Sequence, residues 1–259
     1  MGMKLFRRAL ALLLILCALL PAAVCAEGNE ELLQEFTLHH GDRNSKKIAL
    51  TVDDCYKSAT EWIEKDVELC KKYGVKMTFF PLYKTGCLSE KYRDLWQSVL
   101  DAGCEIGCHG YQHVYYGALD SWTLIKRLGR WQEELDRTLG YHYETRWARP
   151  PYGSLEDKLS GKKGTTRVIK ALKTFGYMHI IHWDVSETKD LDKALSDVQN
   201  GSILLFHAKK KDTNFMEKLI PELQSMGYEM VTVSELFGFD PPETSPELYV
   251  YDRANYEGK

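Results

Sequence analysis

The stretch KIALTVDD at residues 47–54 decides how this chain folds. Residues 48–52 are apolar apart from one threonine and rich in β-branched side chains, which is typical of a strand buried on both faces of a parallel sheet. Two acidic residues, Asp53 and Asp54, follow this run directly. Functional groups in parallel α/β folds gather at the carboxyl ends of the strands. The stretch therefore predicts a central strand with a candidate site at its end.

From about residue 46 to residue 236, similar short apolar runs alternate with longer amphipathic segments, and this strand is the first of the runs. The alternation is typical of βα units around a largely parallel sheet, and glycines stand where the helices should end. We therefore predict one α/β domain. Its strands are expected at 47–52, 76–81, 104–109, 145–149, 177–184, 202–207 and 229–233, and its helices at about 58–73, 89–102, 119–139, 165–175, 191–198 and 214–225.

Composition limits the classes of protein that fit. The chain has 259 residues, of which 44% are hydrophobic and 27% charged, so it can bury a sizeable core, and disordered, collagen-like and coiled-coil classes are excluded. The net charge of -3 supplies no general attraction to nucleic acid or anionic membrane. We therefore expect no nucleic-acid partner, and the sequence indicates no protein partner.

The first 26 residues have the anatomy of a signal peptide. Basic residues precede an apolar stretch at 9–20, and the small residues Val24 and Ala26 suit a cleavage site. We predict cleavage after Ala26 and a secreted, extracytoplasmic protein. The alternative is an uncleaved membrane anchor, for which the stretch is short against the ~20 residues that a span needs. We assign 27–45 to an N-terminal arm and 237–259 to a C-terminal tail that wraps the surface or is loose.

Histidines mark the end of another predicted strand. His109 closes the strand at 104–109, and His113 follows four residues later. The two imidazoles lie on one face if this segment is helical, and neutral imidazole is a good zinc ligand. The pair lacks the glutamate of a His-Glu-x-x-His metalloprotease, so that class of enzyme is excluded. The structural alternative is a pair of surface histidines.

Two further strand ends carry polar residues. Arg149 is followed by two prolines, which fix a rigid turn and would present Arg149 together with the backbone N–H of Tyr152. His207 closes an otherwise apolar strand. Each feature taken singly has a structural explanation. The turn after Arg149 would be a stiff loop, and His207 would be a core histidine with its hydrogen bonds satisfied. The pair Asp53-Asp54 would form a turn or cap a helix.

Taken together, the four strand ends resemble the polysaccharide deacetylases, carbohydrate esterase family 4, which carry the nodulation-type deacetylase domain. The resemblance runs from about residue 46 to 236, and the order and spacing of the motifs match. Residues 51–54, Thr-Val-Asp-Asp, are similar to the first motif, usually Thr-Phe-Asp-Asp-Gly; residues 103–113 are similar to the second, 149–153 to the third and 205–207 to the fifth.

This resemblance implies an irregular (β/α)7 barrel and a metal-dependent hydrolase. By motif match, Asp54, His109 and His113 are the ligands of one divalent ion, with zinc expected, and they leave positions open for water and the substrate carbonyl. The same match makes residues 46–236 a polysaccharide deacetylase-like catalytic domain.

The resemblance also implies the acid–base roles. Asp53 is the general base that takes a proton from the attacking water, and Arg149 orients it. His207 is the general acid that protonates the leaving amine or alcohol. The backbone N–H of Tyr152 helps to stabilise the tetrahedral oxyanion.

The fourth motif departs from the family pattern. The family has Trp-x-Val-Asp there, and the acid supports the catalytic histidine, whereas this chain has Ser186 at the position of that acid. Asp184 stands two residues earlier, on the same face of a continuous strand, and we expect it to substitute. Without such an acid the protonated form of His207 is less stable and His207 is a poorer proton donor.

If the protein is exported, its cysteines can form disulfides, because the compartment outside the cytoplasm is oxidising. The five cysteines after residue 26 are an odd number, so at least one is unpaired or pairs between chains, and they show no CxxC zinc spacing. Cys55 and Cys108 each adjoin an implied metal ligand, so they are a possible disulfide pair. The remaining connectivity stays open.

The sequence thus favours an exported, metal-dependent deacetylase that removes N-acetyl or O-acetyl groups from a polysaccharide, with peptidoglycan amino sugars as the expected substrate. Two alternatives remain open. The altered fourth motif is the reason to consider a non-catalytic glycan-binding protein that kept the barrel. A deacetylase of a small acetylated molecule would have a narrow, closed pocket.

Overall fold

The computed structural model describes residues 33–159, 161 and 164–257. The predicted signal peptide at 1–26 and its cleavage after Ala26 lie outside these residues. Within the described part of the chain, no helix is both long enough and apolar enough to cross a membrane.

The strand predicted from KIALTVDD is the centre of a five-stranded parallel sheet. This strand, β2 (Lys47–Cys55), is almost entirely buried, as its apolar run requires. It pairs on its two edges with later strands, for example Leu50 with Met77 and Ala49 with Ile203, and its first residues pair with a further strand. The partners are β3 (Met77–Pro81), β8 (Ile203–His207) and β9 (Glu229–Val231), and β4 (Glu105–Ile106) pairs with β3.

A second parallel sheet continues the barrel. It has the order β1 (Thr37–Leu38), β7 (His179–Ile181) and β6 (Trp147–Ala148). Single bridges join it to the first sheet, from Cys108 to Ala148 on one side and from Val185 to Leu204 on the other. The strands therefore run β2, β3, β4, β6, β7, β8 and back to β2, with β9 beside the start of β2. Each of the seven predicted strand positions contains an observed strand.

Helices surround this barrel and connect its strands. Their apolar faces pack on the sheets, and three of them end at glycines with left-handed backbone, Gly74, Gly140 and Gly176, as the sequence pattern indicated. Asp120 caps the longest helix by accepting a hydrogen bond from the Thr123 N–H. The helices are α1 (Thr60–Tyr73), α2 (Arg93–Asp101), α3 (Ser121–Leu139), α4 (Thr165–Phe175), α5 (Leu191–Asp197), α6 (Lys210–Ser225) and α7 (Val233–Leu236).

The residues after 236 pack against the barrel's helices. Strand β10 (Thr244–Ser245) pairs antiparallel with β5 (His142–Tyr143). Further on, the Tyr249 N–H donates to the buried carboxylate of Asp136 in α3 at 2.8 Å. The assigned limits of the arm, the main domain and the tail stay predictions.

A buried acid in α1 gives a stability prediction. Asp66 has none of its surface exposed, and burial, with the negative charge of Asp212 adding to it, raises the pKa of its carboxyl well above the ordinary value of 3.8. The unfolded chain therefore loses this proton at lower pH than the folded chain does. Stability is lost as pH rises above about 4, until the folded pKa is reached.

We expect Asp66→Asn to remove this loss, because the amide has nearly the shape of the protonated carboxyl and carries no titrating proton. The free energy of unfolding of the variant minus that of the parent should grow by more than about 1 kcal/mol between pH 4 and pH 8, since each unit of pKa difference corresponds to about 1.4 kcal/mol. Urea unfolding at both pH values measures it. A difference that does not change with pH would contradict the raised pKa.

Candidate active site

A bulge at the end of β2 brings the two predicted acids to one place. The register between β2 and β3 shifts between Asp53 and Cys55, and Asp54 has a φ of 54°. This left-handed conformation is unfavourable for most side chains, but aspartate tolerates it. Adjacent side chains of a regular strand point to opposite faces, whereas here both carboxylates approach the same imidazole, that of His109, within 3.6 to 3.9 Å.

The three implied metal ligands converge. The Oδ1 atom of Asp54 lies 3.6 Å from Nε2 of His109 and 3.5 Å from Nε2 of His113. One ligand atom from each residue lies within 4.8 Å of the other two. Atoms bound to one tetrahedral zinc ion at about 2.1 Å are about 3.4 Å apart, so this spacing fits a single ion.

The environment of these atoms also fits a cation. Asp54 Oδ1 is buried and accepts no hydrogen bond of ordinary geometry from the described residues. His109 Nδ1 lies 2.7 Å from the carbonyl oxygen of Arg149, to which it donates, so its Nε2 is free to face Asp54. A buried acceptor without a donor and an oriented imidazole are what a metal site requires.

The charges of this cluster depend on one another. Burial opposes ionisation of Asp54, but the contacts with His109 and His113 outweigh it and hold the pKa of the carboxyl below its ordinary value. Burial lowers the pKa of His113, which favours the neutral form that binds metal. For His109, burial is outweighed by Asp53 and Asp54, which raise its pKa, so a proton on this imidazole and a bound cation compete for the same position.

The segment from His109 to His113 is not a helix, although a helix was the arrangement expected to bring the two imidazoles to one face. It is a loop of bends in which Gly110 has a φ of 102°. A side chain on Gly110 would also approach the Tyr116 hydroxyl, since a Cβ would lie 2.5 Å from that oxygen. Glycine therefore permits both the turn and the close packing that return His113 to His109.

Arg149 lies against Asp53, as the motif match implied. The guanidinium is fully buried and donates from Nη1 to Asp53 Oδ1 at 2.9 Å and to Thr51 Oγ1 at 2.7 Å. Its Nε donates to the carbonyl oxygen of Ile181, and the group lies over the ring of Phe80. These contacts fix one oxygen of Asp53 and leave Oδ2 on the side of His109.

The turn after Arg149 presents Tyr152 at the open edge of the site. Tyr152 has a φ of 63° and is half exposed. Its ring stacks on that of Tyr115 at 4.3 Å between centroids and meets the ring of His113 edge-on at 4.2 Å. The aromatic rings therefore form a wall beside the candidate metal site.

His207 is held by an acid that sequence reasoning missed. In the sheet, His207 is level with Asp53, so it reaches the same end of the barrel. Its Nδ1 lies 3.2 Å from Oδ2 of Asp212, and its backbone N–H donates to the same oxygen at 2.9 Å. Asp212 is almost fully buried; burial opposes its charge, but these hydrogen bonds outweigh it and lower its pKa. The only signal in the sequence is an acid five residues after the histidine.

The structure corrects the role expected of Asp184. Its carboxylate accepts hydrogen bonds from Arg43, Ser202 and the N–H of Ile203. Ile203 begins β8 and His207 ends it, so Asp184 lies at the wrong end of the strand to support His207. The expectation assumed a strand continuing through 184, but β7 ends at Ile181.

The suggested pairing of Cys55 with Cys108 is also wrong. None of the five described cysteines is joined in a disulfide, and the Cys55 thiol faces the carbonyl oxygen of Val52. Strand β3 lies between β2 and the strand that continues to Cys108. Two strand spacings are about 9.5 Å, which exceeds the Cα separation that a disulfide can span.

Comparisons with known proteins place these features in a family. The family model for polysaccharide deacetylases matches residues 40–179, more than half of the chain. Peptidoglycan-N-acetylmuramic acid deacetylase PdaC of Bacillus subtilis is 28% identical over 204 residues, covering 75% of this chain and 39% of its own length. Peptidoglycan-N-acetylglucosamine deacetylase PgdA of Listeria monocytogenes is 27% identical over 206 residues, covering 76% and 40%. The chain therefore spans less than half the length of these relatives.

A solved structure supports the same assignment. The chain resembles a mutant of BA3943 from Bacillus anthracis, described as a CE4 family pseudoenzyme with restored enzymatic activity, at 26% identity and a TM-score of 0.65 over 78% of this chain and 71% of that one. The predicted family and the irregular (β/α)7 barrel are confirmed. With its motifs gathered at one end of this barrel, the chain belongs to the polysaccharide deacetylase family.

Proposed function

We propose that this chain is an exported, divalent-metal-dependent deacetylase that hydrolyses N-acetyl groups of peptidoglycan amino sugars. The observation that carries the proposal is the convergence of Asp54, His109 and His113 beside two further groups, Asp53 with Arg149 and His207 with Asp212. Relatives named for peptidoglycan deacetylation support the substrate class. The signal-peptide pattern of residues 1–26 supports export.

Asp54, His109 and His113 would hold the ion, and their mixed oxygen and nitrogen donor set suits zinc. When bound, such an ion supplies Lewis acidity toward the acetyl carbonyl and makes a water molecule more acidic.

The acid–base roles follow from which oxygen of Asp53 and which ring nitrogen of His207 are turned away from their supporting partners. Asp53 presents Oδ2 while Arg149 holds Oδ1, so Oδ2 is the atom that would take the proton of the attacking water. His207 directs Nδ1 to Asp212, which leaves Nε2 to protonate the departing nitrogen. The negative charge of Asp212 stabilises the imidazolium before that transfer. The N–H of Tyr152 would donate to the developing oxyanion.

A glycan-binding protein without turnover is the second candidate, because BA3943 shows that the fold occurs in a pseudoenzyme. The pairing of His207 with Asp212 speaks against it here, since it supplies the support that the altered fourth motif lacks. The exposure of Tyr152 supports a polymeric substrate over a small enclosed one.

The test is acetate release by the protein obtained from the full chain. Peptidoglycan, chito-oligosaccharide and acetylxylan are compared before chelation, after chelation and after zinc is returned. We expect release from peptidoglycan or chito-oligosaccharide that chelation abolishes and zinc restores. Release from acetylxylan alone would replace the N-acetyl assignment with O-acetyl. Glycan binding with metal present and no release from any substrate would establish the second candidate.

Asp212 provides a further prediction. Asp212→Asn is expected to lower kcat about 10²-fold with little change in KM, because the acid loses the charge that stabilises its protonated form. Asp184→Asn is the matched control and should keep kcat within about threefold, since Asp184 contacts Arg43 and Ser202 instead. Equal losses in both variants would contradict the assignment.

A further inference from the structure

Two buried cysteines meet at the end of the barrel opposite the candidate active site. Cys70 lies near the end of α1, and Cys104 directly precedes β4. Their sulphur atoms are 3.6 Å apart, and the two residues are only 2% and 6% exposed. We propose that Cys70 and Cys104 are a disulfide-forming pair, a modification site that closes a loop of 34 positions.

The contact between the two sulphur atoms distinguishes this pair from the other described cysteines. A disulfide bond is about 2.05 Å long, so the sulphurs must come about 1.5 Å closer to form one. Among the residues that the structure describes, this is the one thiol–thiol hydrogen bond. Cys87, by contrast, directs its sulphur to the carbonyl oxygen of Cys55.

The surroundings give the two thiols different roles. Cys104 lines a cavity of about 410 Å³ together with Lys76 and Glu235, whereas Cys70 is not among the lining residues. The hydrogen bond between the two thiols, aided by the charge of Lys76, outweighs burial and lowers the pKa of Cys104. The contact with Cys104 and burial raise the pKa of Cys70. Cys104 is therefore the thiol that a small oxidant reaches first.

The chemistry needs an oxidant, for which we name a low-molecular-weight disulfide. The Cys104 thiolate attacks one sulphur of that disulfide, its S–S bond breaks, and one thiol leaves. Cys70 then attacks the Cys104 sulphur of the mixed disulfide and releases the second thiol. The two cysteines lose two electrons and two protons, and the oxidant gains them.

This bond would join the end of α1 to the start of β4, at the end of the barrel opposite the candidate active site. It restricts the conformational freedom of the unfolded chain more than that of the folded chain. It should therefore raise the melting temperature, by about 5 °C or more for a loop of this length. The inference goes beyond the proposed deacetylase activity, and the pairing chemistry can be tested whether or not the chain hydrolyses acetyl groups.

The experiment uses the reduced protein treated with oxidised glutathione, then denatured and alkylated. Peptide mass spectrometry should find Cys70 joined to Cys104, with Cys55, Cys87 and Cys108 alkylated, and the melting temperature should rise until dithiothreitol is added. Alkylation of all five thiols at every glutathione concentration would overturn the proposal, and this result needs no variant to fold.

Two variants test the order of attack. Cys70→Ala should accumulate a glutathione adduct at Cys104, because the resolving thiol is missing, whereas Cys104→Ala should leave Cys70 unmodified. Cys87→Ala is the matched control, a buried thiol whose loss should leave the Cys70–Cys104 bond unchanged. Equal adduct formation at Cys70 and Cys104 would contradict the assigned roles.

Discussion

Asp54→Ala is expected to abolish stoichiometric binding of a divalent ion and to lower kcat/KM for acetate release by about 10³-fold or more. Asp54 supplies the one carboxylate of the cluster, and its Oδ1 lies 3.5 to 3.6 Å from both imidazoles. Without it, the two histidines alone cannot complete the three-ligand set of a catalytic zinc site. Bound metal is measured by elemental analysis after dialysis, and acetate release on the same samples.

The backbone conformation at Asp54 determines which second substitution is a suitable control. Its φ of 54° is unfavourable for alanine by about 1 kcal/mol, whereas asparagine tolerates this conformation nearly as well as aspartate. Asp54→Asn should therefore fold with stability closer to that of the parent and still lose metal affinity, by about 10²-fold. Full metal occupancy in both variants would show that Asp54 is not a ligand.

The barrel could be predicted because its longer strands, β2, β3 and β8, are buried on both faces, so each of these three is a nearly continuous apolar run in the sequence. Strand β2 is the clearest case, since four of the five residues from Ile48 to Val52 are apolar. The strands β1, β5 and β10 were not predicted, because no apolar run marks them in the sequence. They form where distant parts of the chain meet, and local sequence does not report that.

The sequence indicated which strand ends converge, but not the backbone that brings the groups together. The bulge at Asp54 and the non-helical turn after His109 depend on left-handed φ values that only the folded sheet imposes. The sequence indicates an acid before His207, at Asp184, only if a strand continues to that residue. That strand ends early, and Asp212 in the next helix takes the place.

Asp53→Asn is expected to lower kcat by about 10² to 10⁴-fold while metal occupancy and glycan affinity stay within about threefold of the parent. The amide keeps an oxygen that can accept from Arg149, but it cannot take a proton from water. Arg149 is fully buried, so the choice of replacement matters. Asp53→Ala would leave its charge without a partner and cost about 3–5 kcal/mol of stability, which would confuse lost catalysis with lost folding.

The measurement pairs acetate release with chito-oligosaccharide binding by calorimetry on the same metal-loaded samples. If kcat falls and binding persists, Asp53 acts in the chemical step and the chain is an enzyme. An Asp53→Asn variant with kcat within about tenfold of the parent would remove Asp53 from the role of base. If the parent and the variant bind the glycan equally and neither releases acetate, then the Asp53–Arg149 pair serves the structure of the barrel, and the glycan-binding alternative holds.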